Sequence, residues 1–228
     1  MAPPVLLVHG LGTSFDATWR HNGWVDLLGD LGRSVIGVDL LGHGDAPKPH
    51  DPAAYEDLTT RVFDAIADVD GPRDAIGFSL WAKTLLQAAT VAPDSFSSLV
   101  VSGVGANLFR SDSASPTVAE VVRTGDDRGN PGLRYFAGLA ELPGNDREAL
   151  AACMTNGGGG VTEADLGRIT CPVLVVLGDQ DFTAPADQLV AALPDATYVE
   201  LPRTDHAKTP KSFAFIDAAL DFLRTQDG

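Results

Sequence analysis

Long apolar runs are missing from this chain. No stretch approaches the ~20 residues that a membrane helix needs, so a bilayer-spanning helix is not expected. The opening Met1-Ala2-Pro3-Pro4 carries no basic residue, and Val5–Val8 is too short for the apolar centre of a secretion signal. The sequence therefore predicts a soluble, cytoplasmic protein. Basic residues are also scarce: 16 Lys and Arg stand against 31 Asp and Glu, a formal charge of −15. A nucleic-acid duplex is polyanionic and is bound through a basic stripe. None is visible, so nucleic acid is not an expected partner. The acidity, mostly aspartate spread along the chain, reads as a solubilising surface. Cysteine is limited to Cys153 and Cys171, without metal-type spacing, so no metal is expected. The two thiols read as free and structural in a reducing compartment, with one disulfide as the open alternative.

What is present suits a packed core. The chain has 228 residues, 44% hydrophobic and 21% charged, enough for one domain or a domain with an insertion. Apolar strand-like runs alternate with helical patterns. Strands are expected at Val5–Val8, Ser34–Val38, Asp74–Phe78, Ser98–Ser102, Val173–Leu177 and Ala196–Glu200. Helices are expected at Trp24–Leu31, Leu58–Val69, Trp81–Val91, Ala186–Leu193 and Phe213–Arg224. In Leu58–Val69 the apolar residues Leu58, Val62, Phe63, Ile66 and Val69 recur at helical spacing. Most strands are continuously apolar, as when helices cover both faces of a sheet. The fold expected is a three-layer α/β/α sandwich around a mostly parallel sheet.

Residues 104–169 break the alternation. Short helices are expected at Thr117–Arg123, Leu133–Leu139, Arg147–Met154 and Glu163–Ile169, with a four-glycine run at Gly157–Gly160. The expected organisation is a core of residues 1–103 and 170–228 with a helical lid of residues 104–169 inserted over the strand ends.

In parallel sheets, sites form at the carboxyl ends of the strands, and the suggestive residues cluster there. Ser79, in Gly77-Phe78-Ser79-Leu80-Trp81, sits between a strand and a helix, where a sharp turn holds its hydroxyl clear and the Leu80 N–H can face an oxyanion. His9-Gly10-Leu11-Gly12 follows the first strand. Its glycines bring backbone N–H groups close to a ligand; His9 reads as a structural imidazole and Leu11 N–H as a second oxyanion donor. Asp179 and Asp181 compete as an acid at the end of the Val173–Leu177 strand. His206 follows the last strand.

Together these elements resemble the α/β-hydrolase superfamily over nearly the whole chain. His9-Gly10-Leu11-Gly12 resembles its oxyanion loop, and Asp39-Leu40-Leu41-Gly42-His43-Gly44 its Asp-x-x-Gly-His-Gly turn. Gly77-Phe78-Ser79 resembles its nucleophile elbow, and Asp205-His206 its terminal Gly-His. Gly178-Asp179-Gln180-Asp181 resembles its Gly-x-x-Asp turn, which selects Asp181. There are three departures. Trp81 stands where the elbow has a small residue, so either the elbow is reshaped or the indole turns away into the pocket wall. The chain begins at the His-Gly strand without the family's opening hairpin, so about six strands are expected, with Ser34–Val38 at an exposed edge. The insertion is modest and glycine-rich, implying a small lid.

The resemblance implies a serine hydrolase without cofactors. Ser79 would attack a carbonyl, His206 would take its proton, Asp181 would orient the imidazole, and the Leu11 and Leu80 N–H groups would bind the oxyanion. Serine at position 79 argues against dehalogenases and epoxide hydrolases, which use aspartate. Leu40, Leu41, Leu80, Trp81, Val104, Leu108, Phe109, Phe136 and Phe182 would supply an apolar pocket. The expected substrate is a small or medium carboxylic ester or lactone. One alternative is a C–C bond hydrolase of diketone-type acids, with Arg110 or Arg134 holding a carboxylate. The other is a non-catalytic ligand-binding protein. Beyond the small-molecule substrate, a monomer or homodimer is expected.

Overall fold

The structure, a computed structural model, describes residues 2–109, 115–156 and 160–226. Arg110 and most of the Gly157–Gly160 run lie outside the described residues. Among the described residues six strands form one sheet: β1 (Val5–Val8), β2 (Val35–Val38), β3 (Arg73–Phe78), β4 (Phe96–Ser102), β5 (Val173–Gly178) and β6 (Ala196–Leu201), in the order β2-β1-β3-β4-β5-β6. Every pairing is parallel. The expected strand Ser34–Val38 is the edge strand β2. The order reverses between β1 and β3, which makes the carboxyl ends of those two strands the topological switch point.

Strand periodicity builds the layers. Val5 and Leu7 enter one core with Ile76, Val100, Leu174 and Val176, covered by α1 (Trp24–Asp30) and α9 (Phe213–Thr225). Leu6 and Val8 point the other way and join Ala75, Leu99, Val101, Val173 and Val175. That second core is covered by α2 (Thr59–Ile66) and α3 (Leu80–Val91), with residues of α7 (Glu163–Leu166) and α8 (Asp187–Ala192) contributing. The sandwich therefore has three layers. Both cores are apolar, which is why most strands read as continuous hydrophobic runs.

An arginine–aspartate ion pair lies inside the fold, away from the carboxyl ends of the strands. Arg33 and Asp74 are both buried and bonded to each other. Asp74 also accepts from Ser98 Oγ at 2.6 Å, and Arg33 donates to the Pro3 carbonyl at 2.8 Å and the Leu223 carbonyl at 3.2 Å. The carboxylate and guanidinium are thus satisfied by hydrogen bonds as well as by each other, which a desolvated pair requires. They tie the chain start, β3, β4 and α9 together.

The region between β4 and β5 is helical. It contains α4 (Ser115–Thr124), α5 (Pro131–Leu139), α6 (Arg147–Asn156) and α7, close to the sequence expectation. Asn130 caps α5 by accepting from Gly132 N, with Pro131 in the first turn, and Thr162 and Asp165 form a reciprocal capping box on α7. Cys153 and Cys171 are free and buried, and burial pushes their thiols up to about 12 and about 11. Among the described residues no helix is long and apolar enough to cross a membrane.

Candidate active site

Ser79 joins β3 to α3 with φ 58° and ψ −127°, a left-handed backbone that a serine rarely adopts. The turn is held by Ser79 N donating to the Ser102 carbonyl at 2.8 Å. It is also held by close approach of strand and helix: a Cβ on Gly77 would lie 2.9 Å from Ala82 Cα. Glycine at 77 is what lets α3 turn back so sharply.

His206, in the loop after β6, brings the distant elements together. Its Nε2 lies 2.8 Å from Ser79 Oγ, and its Nδ1 lies 2.8 Å from Asp181 Oδ2 and 3.0 Å from Oδ1. Asp181 and His206 are buried, while Ser79 is half-buried. Of the two competing aspartates, Asp181 is the one that touches the imidazole. Asp179 accepts from Thr204 N at 3.1 Å and so anchors the loop that carries His206. Two further contacts involve Thr183 and Tyr135, which are not among the expected site residues. Thr183 donates both its N–H, at 2.9 Å, and its hydroxyl, at 2.8 Å, to Asp181 Oδ1. Tyr135 of α5 meets the imidazole edge to face, with ring centroids 5.3 Å apart. Burial and the Asp181 charge push the Tyr135 phenol far up, so it stays protonated. Phe78 and Phe182 flank His206 at 4.8 and 4.4 Å between centroids.

The loops after β1 and β2 are braced against each other. Asp39 accepts from Phe15 N at 2.7 Å through one oxygen and from Asp45 N at 2.9 Å through the other. His9 Nδ1 donates to the Gly10 carbonyl at 2.8 Å, and its Nε2 accepts from Leu40 N at 3.3 Å. Only the neutral imidazole can make both bonds. Among the described residues, the backbone N–H groups of Leu11 and Leu80 donate to no protein acceptor.

Trp81, expected from sequence at the pocket wall, is instead a core residue. It has no solvent exposure and packs against His9 and His43 at centroid distances of 6.4 and 5.8 Å. The elbow keeps its shape because the tight strand–helix contact falls at Gly77 and Ala82, while the indole turns under the loop after β1. Its Nε1 and the Nε2 of His43 are buried without hydrogen-bond partners. The remaining pocket candidates are graded in exposure. Leu40, Val104 and Leu108 are buried; Leu41, Leu80, Phe109 and Phe136 are half-buried; Phe182 is exposed. Phe136 and Phe182 meet each other at 5.7 Å, and both meet Tyr135. Arg134 points to solvent and pairs with Asp127 at 3.1 Å. Among the described residues no group of three His, Cys, Asp or Glu is placed to hold a metal.

The two buried histidines make stability depend on pH. Burial pushes His9 down to about 4 and His43 down to about 3. The unfolded chain takes up these protons below its ordinary value of 6.5, whereas the folded chain resists them. Their contribution is therefore complete above pH 6.5 and declines as pH falls towards 4. The melting temperature of wild type is expected to drop between pH 7.5 and 5, and that of His43→Asn to drop less. Equal slopes for the two proteins would contradict the assignment.

A parallel α/β sandwich with a serine held at a left-handed strand–helix turn, and an aspartate-backed histidine on its hydroxyl, defines a hydrolase. The chain belongs to the alpha/beta hydrolase family, whose model matches residues 5–223. Among curated proteins, it is 30% identical over 207 residues to a pimeloyl-(acyl-carrier protein) methyl ester esterase of Neisseria meningitidis serogroup B, covering 79% of this chain and 76% of that one. Among solved structures, MenH from S. aureus superposes with a TM-score of 0.79 at 17% identity, covering 100% of this chain and 96% of that one. The enol-lactonase from Burkholderia xenovorans LB400 superposes at 0.76 with 23% identity, covering 98% and 92%.

Proposed function

We propose that this enzyme hydrolyses small or medium carboxylic esters or lactones through an acyl-enzyme on Ser79. The observation that carries the reading is the unbroken chain Asp181–His206–Ser79, with both links at 2.8 Å. Neutral His206 accepts the Ser79 proton through Nε2 as Oγ attacks the carbonyl carbon. Asp181 keeps the other imidazole proton on Nδ1 and stabilises the imidazolium that forms. The Leu11 and Leu80 N–H groups receive the oxyanion, a kind of donor worth roughly 3 kcal/mol each in the transition state. His206 then returns its proton to the leaving oxygen, and a water deprotonated by His206 releases the acid.

Residues 104–169 act as a lid in this reading. They bring Tyr135 and Phe136 to the rim, where these rings and Phe182 give the acyl or alkoxy group an apolar wall. The relatives named as methyl ester esterases support an ester as substrate. Lid charge favours a free ester over one carried on an acidic protein: Arg123 pairs with Glu120 and Glu148, Arg134 with Asp127 and Arg147 with Glu141. With the net charge of −15, no free basic patch is on offer among these residues. The engagement of Arg134 also removes one carboxylate anchor that a diketone-acid hydrolase would need.

The test is direct. A fluorophosphonate should add to Ser79, located by peptide mass, and a chromogenic acetate ester should give a burst of one product per enzyme. Methyl esters of short free acids should be turned over faster than a diketone acid. An unlabelled Ser79 in folded protein would overturn the proposal.

A further inference from the structure

The turn between α5 and α6 contacts the loop after β1 at one polar point. Asn145 Nδ2 donates to the Gly12 carbonyl at 2.6 Å and to the Leu139 carbonyl at 2.7 Å. Both amide hydrogens are therefore spent, one on each side of the lid–core boundary. Gly12 sits at φ 66°, and a Cβ there would lie 2.8 Å from the Cβ of Leu139, so backbone and lid are in direct contact at the same place. The anchor at the other end is firm. Asp146 caps α6 by accepting from Glu148 N at 3.0 Å and Ala149 N at 3.1 Å, and its second oxygen pairs with His50 at 2.9 Å.

We propose that Asn145 is a positioning residue: it ties the lid to the tip of the loop that carries the Leu11 N–H, and so sets that donor for the transition state. The inference rests on the serine-esterase reading above. Gly12 follows Leu11 directly, so a carbonyl pinned at Gly12 holds the loop two peptides past the Gly10–Leu11 amide and restrains that amide through the short stretch between them. The Asp39 and His9 bonds hold the same loop from the core side, and Asn145 supplies the hold from the lid side. The chemistry requires an amide. A carboxylate of the same size would turn an acceptor towards two carbonyls and push the loop away.

Asn145→Asp and Asn145→Ala are the variants, assayed on the wild-type enzyme's best ester. Each is expected to lower kcat about 10- to 100-fold, the range that follows from displacing an oxyanion donor by a fraction of an ångström, with KM changed by less than about threefold. An alkyl boronic acid adds to Ser79 Oγ as a tetrahedral boronate whose oxygen takes the oxyanion position. Its inhibition constant should rise by the same factor by which kcat/KM falls. A purely structural role would lower the melting temperature and leave these ratios alone. Folded variants that match wild-type kcat, or that lose boronate affinity without losing kcat, would overturn the inference. If one variant does not fold, the other carries the test. Absence of labelling at Ser79 in wild type would remove the esterase reading and this inference with it. Labelling with full activity in both variants would remove this inference alone.

Discussion

Ser79→Ala is expected to lower kcat on the best ester about 10⁵- to 10⁶-fold, with no change in fold. In the proposed mechanism the size follows from the loss of the nucleophile together with the work of its two partners, which would act as one unit. Alanine keeps the Cβ, so the left-handed turn at φ 58° is no more strained than before. The Ser79 N bond to the Ser102 carbonyl is also untouched, and the melting temperature should stay within about 2–3 °C of wild type, as for a change below 1 kcal/mol. Residual turnover above water would come from the Leu11 and Leu80 donors and from binding. An alanine variant that keeps wild-type turnover would sink the acyl-enzyme mechanism.

The sheet was legible because its central strands are buried on both faces. Val5–Val8 and Val173–Leu177 have no polar residue to confuse with a turn, and each predicted strand exists within a residue or two of its expected ends. The meeting of Ser79, Asp181 and His206 was legible for another reason: each follows a strand, and parallel strands deliver their ends to one edge. What could not be read were contacts set by packing rather than by motif. Asn145 lies 133 residues from Gly12, and no periodicity links them. No motif singles out Tyr135 in its short helix, yet it ends on His206. Trp81 misled because the motif marks where a small residue usually sits. The residue that must be small here is Gly77, facing Ala82, and that requirement shows only when the helix is placed on the strand. Thr183 was the one missed contact with a local signal, since Asp-x-Thr favours a side-chain bond two residues on.

That threonine decides the second large effect. Asp181→Asn is expected to cut kcat about 10⁴-fold while the protein stays folded. The position of Asp181 Oδ1 receives two donors, the Thr183 N–H and hydroxyl. An asparagine amide must therefore place its oxygen there. Its NH₂ then takes the place of Oδ2, 2.8 Å from His206 Nδ1. A donor facing Nδ1 makes that nitrogen an acceptor, and the single imidazole proton moves to Nε2. Nε2 would then donate to Ser79 Oγ instead of accepting from it, and the base is lost without any atom having moved far. Two comparisons isolate this cause. Asp179→Asn keeps an oxygen for Thr204 N and should cost far less. Adding Thr183→Val to Asp181→Asn removes the hydroxyl donor and loosens the amide's orientation, so part of the lost rate should return. A Asp181→Asn enzyme with near wild-type turnover would show that His206 draws its tautomer from some other group, and the proton path through the triad would have to be redrawn.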